Sequence, residues 1–472
     1  MTLLGALFGD PAVDELLEDD ALVASMVETE IALLRALERR GIIPHGVADR
    51  ADAAFAEHRF DPDALAAAST GGGNPVVPLV KAMLSVAPED VRPWLHHGAT
   101  SQDVWDTAVM LRSARVIDVV VSALGAARDA AAVLADRHRS TRQIARTLGQ
   151  HAVPTTFGVV AAGWAVGLDA ARRDLLRVRA ELAVQLAGAG GTLGVYGAAG
   201  RTVVEHLAEE LGLAVPAAPW HTDRTRVRSL AAATAGVVAA AGKVATDVVV
   251  LSASDVAEVA EGGGADHGGS SAMPHKRNPV TSVLVRGAAM RAPGLLSTIY
   301  SASLQENQRA TGGWHAEWQP LFDLLSLAGG AATRIGDVLA GLQVETERMN
   351  ENLDHARPAV MAEQLTTVLK SAVGRAEAQR VVADAMAVAR EGVAARERSA
   401  TPANLAAPAG AAQAVDEAVV DAVVEAGARS DVSRGVDRAE LRRALDPESS
   451  LEACSALVDS ALQDVTRPDV AL

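Results

Sequence analysis

Five long stretches in the middle of this 472-residue chain repeat apolar residues at spacings of three and four, and that pattern limits the fold more than any other feature. They run over residues 106–138, 155–187, 226–260, 279–306 and 315–342, with few helix breakers inside. Such spacing lines one face of an α-helix with apolar side chains. At about 1.5 Å per residue, segments of roughly 28 to 35 residues give helices roughly 40 to 50 Å long. Helices of that length in water need neighbours along their whole extent, so a bundle is predicted. No strand-like alternation of any length accompanies them.

Before residue 105 the periodic stretches are shorter, and STGGGNPVVP (69–78) interrupts them with a turn. Beyond about 350 short helices are expected again, including the alanine-rich TPANLAAPAGAAQAVDEAV. The expectation is an all-α fold in three domains: an N-terminal helical domain (1–105), a central five-helix bundle (106–350) and a C-terminal helical domain (351–472). One bundle segment, AAATAGVVAAAGKVATDVVVL (231–251), is apolar nearly all round. A helix of that kind is buried on all sides. Five helices in one subunit cannot cover every such face, so a symmetric homo-oligomer is expected.

The hydrophobic fraction of 49% suffices for a large core, and with only 3% aromatics that core is built from small aliphatic side chains. A net charge of −16 argues against nucleic acid and anionic membrane surfaces as partners. It leaves room for a small anionic substrate in a locally basic pocket. The single cysteine, Cys454, allows neither an internal disulfide nor a cysteine metal cluster. The first residues lack the basic region of a signal peptide. The longest uncharged run, AVPTTFGVVAAGWAVGL (152–168), is broken by proline and glycine and falls short of the ~20 residues of a membrane span. A cytoplasmic, soluble protein is expected.

Four polar or glycine-rich stretches stand between the helical segments. In WLHHGATSQDVWDTA (94–108), His96, Thr100, Ser101 and Gln102 precede a helix, with Ser101 or Asp103 placed as its N-cap. Hydroxyls and open N–H groups at a helix start can also hold an anion. In RTLGQHAVPTTFG (146–158), Thr147, Gln150 and His151 precede Pro154, which reads as the start of the next helix. PWHTDRTR (219–226) brings His221, Arg224 and Arg226 to another helix start. The fourth, GGSSAMPHKRNPV (268–280), sets His275, Lys276 and Arg277 behind paired serines in an otherwise acidic chain. It lacks GxxxxGK[ST] and so is no phosphate loop of the nucleotide-binding kind, and GGG at 262–264 is no dinucleotide fingerprint.

GSSAMPHKRNP (269–279) resembles the signature loop of the fumarase/aspartase superfamily, GSSxMPxKxNP. The stretches at 100–103 and 147–158 resemble that superfamily's two other shared regions. LFGDPAVDELL, GNPVVPLVKA, HHGATSQD, PWHTDR and GWHAEW extend the likeness over almost the whole chain, and it is strongest to the 3-carboxy-cis,cis-muconate cycloisomerase branch. The resemblance implies a homotetramer built on a twenty-helix core, with each active site drawn from three subunits. It implies a small di- or tricarboxylate substrate and no metal or organic cofactor.

The chemistry so implied breaks or makes a bond β to a carboxylate through an aci-carboxylate intermediate. Taking a proton from the carbon beside a carboxylate adds a second negative charge to that group, so the site must concentrate positive potential. By resemblance Ser270 is the base, and Lys276 and Asn278 hold the dianion. Thr100, Ser101, Thr147 and Gln150 grip carboxylates; His96, Gln102, His151, Arg224, Ser271 and Met273 are further substrate-binding candidates, with Arg309 and His315 beyond them.

Many lyases of the superfamily carry RTHxQ in the second region, with a histidine proton donor where this chain has Leu148. The cycloisomerases lack that histidine. Val283 stands where many members have glutamate, and ENQRATGGWH (306–315) is less acidic than in a typical cycloisomerase. The leading reading is interconversion of 3-carboxy-cis,cis-muconate and carboxymuconolactone. The alternative is β-elimination from a substituted succinate, as in a nitrosuccinate lyase releasing nitrite and fumarate, which needs no proton from the enzyme. A non-catalytic helical scaffold is the remote third reading, against which Ser270, Lys276 and Asn278 all stand.

Overall fold

The computed structural model describes residues 5–263, 268–269, 273, 276–399, 411–429 and 437–467. The five central helices are Ser101–Arg137, Phe157–Glu181, Thr225–Leu251, Val280–Ala302 and Trp318–Gly341, called here the first to fifth bundle helices. The first packs on the second and fifth; the third packs on the second, fourth and fifth, and the fourth also packs on the fifth. The all-α expectation holds, and each segment read from the apolar spacing is a helix. Among the described residues the third alone is long and apolar enough to cross a membrane, but it runs through the middle of the bundle.

Helix starts follow local chemistry. The N-cap of the first bundle helix is Thr100, where Ser101 or Asp103 was expected. Asp103 sits three residues in, and its carboxylate reaches back to accept the Thr100 N–H at 3.0 Å. This is the reciprocal half of a capping box, which makes Asp103 an interior residue of the first turn. The second bundle helix is capped by Thr156, whose hydroxyl accepts from the Val159 N–H at 3.3 Å. Its second residue, Gly158, lets the chain close on the end of the first helix: a Cβ there would lie 2.6 Å from Arg139 Cα and 2.8 Å from the Ala135 carbonyl oxygen.

The helix start expected at Pro154 is wrong. Strands β1 (Arg142–Thr147) and β2 (Gln150–Thr156) form an antiparallel hairpin between the first two bundle helices, with Thr147 opposite Gln150 and Pro154 opposite Ile144. Leu148 and Gly149 make the two-residue turn at φ 51° and 76°, the left-handed pair such hairpins require. The hairpin escapes pattern reading because Ile144 is its only buried large apolar residue and a bulge breaks the register between Ile144 and Arg146. Beyond residue 350 short helices such as Ala362–Val373 and Arg438–Leu445 stand as expected, but Arg375–Ser399 spans 25 residues and Ala411–Arg429 19.

N-terminal helices, chiefly Asp19–Arg39, share one continuous hydrophobic core with the bundle. A second core gathers Leu353, Met361, Leu365, Val381, Val420 and Leu441 around Ile144 under the hairpin. The last helix, Glu452–Val465, returns to the second bundle helix. The fourth bundle helix buries Ser282, Val285, Ala288, Ala292, Ile299 and Ala302 but leaves Val283, Met290 and Tyr300 at least half exposed, at 51%, 73% and 52%. Among the described residues nothing covers these three side chains.

Candidate active site

At one end of the bundle the start of the first helix is tied to three distant segments. Asp103, buried, accepts hydrogen bonds from the Ala187 and Gly188 N–H groups at 3.1 and 2.9 Å and from His221 Nε2 at 2.6 Å. Since a carboxylate only accepts, His221 carries its proton on Nε2. Gln102 donates to the His221 carbonyl at 2.8 Å and to Asp106 at 3.2 Å. Arg309 donates to the Gly188 carbonyl at 2.6 Å, and His315 Nε2 meets the Gly73 carbonyl at 2.9 Å. His96, at φ 57°, holds buried Glu30 with its N–H and its ring Nδ1, at 3.1 and 2.6 Å. Burial works against a charge on that ring, but the bond to Glu30 and the charges of Glu30 and Asp103 together outweigh it and raise the His96 pKa.

Two expected substrate ligands are already committed here. Arg224 is buried and bonded on one side to Asp106, at 2.8 and 3.1 Å, and on the other to Glu317. Its guanidinium carbon also lies 5.0 Å from the Trp220 ring centre. Burial pushes the Glu317 carboxyl up to about 7 against the pull of Arg224, and the nearby Asp106 adds to the rise. Trp314 Nε1 donates to Asp106 at 3.0 Å. Arg224 and Gln102 are therefore internal fasteners of this turn, and no donor of either faces an open site. Thr100, Ser101 and Arg309 are half-buried and His315 is exposed, so these remain reachable.

The opposite end carries the hairpin and the signature loop. Thr147, Gln150 and His151 are exposed at the hairpin tip. Its base is clamped by Glu258, fully buried, which accepts from both terminal nitrogens of Arg146, from Gln143 at 2.8 Å and from Asn352 at 2.8 Å. Burial alone would raise the Glu258 carboxyl; the bonds from Arg146, Gln143 and Asn352 overcome that and hold it below the ordinary range. Glu261 accepts the Thr281 and Ser282 N–H groups at 3.1 and 2.7 Å, satisfying the start of the fourth bundle helix. Asn278 donates from its backbone and its side chain to the Gly268 carbonyl, both at 2.9 Å. Lys276 and Met273 are exposed, the Lys276 N–H bonded to the Met273 carbonyl at 3.0 Å. Ser270 and Ser271 lie outside the described residues.

One chain does not bring these two groups together. The second bundle helix, at 25 residues, already separates the ends by roughly 35 to 40 Å at about 1.5 Å per residue. A cavity of about 400 Å³ between Asp19–Arg39 and Val47–Ala56 is lined by none of the candidate residues. Sequence reading missed Glu258, Glu261 and Asp106 and took Asp103 only as a helix-cap candidate; these carboxylates fasten the segments that carry the candidate residues. Asp103 and Asp106, three apart at a helix start, were the legible signal: carboxylates on one helix face beside a run of buried residues need partners.

A lyase family model matches residues 13–294, more than half of the chain. The chain belongs to the lyase family of the fumarase/aspartase superfamily. This lyase-family enzyme is 41% identical to 3-carboxy-cis,cis-muconate cycloisomerase of Bradyrhizobium diazoefficiens, over 80% of this chain and 85% of that protein. It is 40% identical to nitrosuccinate lyase of Streptomyces davaonensis, over 98% of this chain and 94% of that protein. Its fold superposes on the crystal structure of 3-carboxy-cis,cis-muconate lactonizing enzyme from Pseudomonas putida with a TM-score of 0.82 at 33% identity, covering 98% of this chain and 99% of that one.

Proposed function

We propose that this enzyme is a cycloisomerase or lyase working through an aci-carboxylate intermediate, with 3-carboxy-cis,cis-muconate and carboxymuconolactone as its substrate pair. Ser270 takes the proton from the carbon beside a carboxylate. The electron pair moves into that carboxylate, and Lys276 and Asn278 hold the resulting dianion. The intermediate collapses to a C=C bond as the ring C–O bond breaks, and the ring oxygen leaves as a carboxylate. Thr100, Ser101, Thr147 and Gln150 grip the remaining carboxylates. The three domains bounded at 105 and 350 belong to the same proposal, as does a cytoplasmic setting.

The observation that carries the reading is the separation of the two polar ends. Copies packed antiparallel, bundle against bundle, put the turn at 100–102 of one chain beside the hairpin and signature loop of others. The uncovered face of the fourth bundle helix, with Met290 and Tyr300, supplies the apolar surface for that packing. A homotetramer with a twenty-helix core satisfies both demands. Mixing inactive Ser270→Ala with inactive Thr147→Ala subunits tests it: hybrids regain activity if sites are shared, and a monomer at micromolar concentration in sedimentation overturns it.

A second reading is favoured by coverage. Likeness to the nitrosuccinate lyase spans 98% of this chain, whereas likeness to the Bradyrhizobium cycloisomerase spans 80%. In that case Ser270 takes the proton, the C–N bond breaks and nitrite leaves with its electron pair, forming fumarate. Absorbance assays with the two substrates, run on the same purified protein, separate the readings.

A further inference from the structure

We propose that Glu30 is a positioning residue for substrate binding: buried beneath the turn at 94–99, it fixes His96 so that the ring presents its Nε2–H to a substrate carboxylate beside Thr100 and Ser101. The assignment rests on the proposed function, in which that turn holds a carboxylate. Glu30 belongs to the N-terminal helix Asp19–Arg39 and is 0% exposed. Both of its oxygens are spent on one residue. Oε2 accepts the His96 N–H at 3.1 Å, and Oε1 meets the ring Nδ1 at 2.6 Å. No other hydrogen bond reaches Glu30 among the described residues. One carboxylate thus sets both the ring of His96 and its backbone, which stands at the left-handed φ of 57° that few non-glycine residues adopt.

A fastener of the turn needs no more than these two bonds, yet half the ring is left over. Nε2 has no partner among the described residues and is not shut off from solvent, the side chain being 23% exposed. His221, by contrast, spends its Nε2 on Asp103. A carboxylate as buried as Glu30 needs an opposite charge against it. His96 supplies that charge as an imidazolium, with Nδ1–H given to Glu30 and Nε2–H kept as a charged donor, which suits a carboxylate. The other titratable groups around the ring are Asp103, which adds to the pull of Glu30, and Tyr196. The Tyr196 phenol donates to the His97 carbonyl at 2.6 Å and is pushed up by burial and by Asp103 and Glu30, so it stays neutral. A facing carboxylate moves such a ring by about 1–3 pH units. With Glu30 made neutral, burial of the ring is opposed by Asp103 alone.

The test is a double-mutant cycle of Glu30→Gln and His96→Gln, read by steady-state kinetics and by carbethoxylation of His96 with diethylpyrocarbonate, which attacks the neutral ring. Glu30→Gln is expected to raise KM about tenfold or more at about pH 7.5 with kcat changed less than about threefold. The gap should narrow toward about pH 5.5, where the ring is charged in both proteins. In the His96→Gln background, Glu30→Gln should cost less than about threefold more. The pH midpoint of carbethoxylation at His96, followed by peptide mass spectrometry, should lie above 6.5 in wild type and about one pH unit or more lower in Glu30→Gln. A cost of Glu30→Gln that is equal in both backgrounds, or equal at every pH, makes Glu30 a residue of the fold and overturns the inference. An unmoved midpoint does the same. If Glu30→Gln does not fold, a wild-type midpoint below 6.5, or a KM of His96→Gln within about threefold of wild type, still overturns it. Wild-type protein that turns over neither the carboxymuconate pair nor nitrosuccinate overturns the proposed function instead, and the midpoints then decide the pairing of Glu30 with His96.

Discussion

Replacing Arg224 by methionine removes the charge between two buried carboxylates. The side chains of Arg224, Asp106 and Glu317 are exposed by only 1%, 3% and 4%, so water cannot stand in for the guanidinium. Breaking a buried pair by deleting one partner costs about 3–5 kcal/mol, because the charge left behind stays desolvated. Here Asp106 and Glu317 both lose their partner, and Arg224→Met is expected to lose about that much in urea or thermal unfolding at pH 8. The loss should depend on pH. Without Arg224 the Glu317 carboxyl, already pushed up to about 7 by burial, moves higher still, above its unfolded value of about 4.3. A carboxyl raised in the folded state adds stability below its unfolded pKa, and that stability is lost as pH rises through the folded pKa. The deficit of the variant should therefore be smaller at pH 5 and larger at pH 8. Asp106→Asn with Glu317→Gln should restore much of it. A variant of wild-type stability with a raised KM would refute the reasoning and return Arg224 to the substrate.

Glu258→Gln should destabilise by about 1–3 kcal/mol at neutral pH, since Arg146 loses its charged acceptor. Because the folded carboxyl lies below its ordinary range, the wild-type advantage is present above about pH 4.3 and lost as pH falls through the lower folded value; an equal gap at every pH would contradict this. Ser270→Ala should cut kcat by several orders of magnitude with binding largely kept, and retention of more than about a tenth of the activity, ~1.4 kcal/mol or less in barrier, removes the serine as base. Lys276→Met should weaken binding and turnover together, which steady-state kinetics on the folded variant will show. Gly158→Ala should cost about 1–3 kcal/mol through overlap with Arg139 and Ala135, read as a lowered unfolding midpoint.

The five bundle helices were determined by sequence alone because their signal is local: an apolar side chain three or four residues away repeats whatever the rest of the chain does. The polar stretches were legible for the same reason, as interruptions of that repeat, and the signature loop placed the chain in its superfamily. Only the tertiary structure decided which of the polar residues are paired within the chain. Arg224 reads as an open cation until Asp106 and Glu317 close on it from 118 and 93 residues away. The hairpin reads as a helix start until Leu148 and Gly149 turn left-handed and Glu258, more than 100 residues on, clamps its base. The opposition of the two polar ends is a length, set by how far the helices run and which way each one points. Pairing of charges and separation in space both depend on contacts between residues far apart in the chain, and no local spacing encodes those.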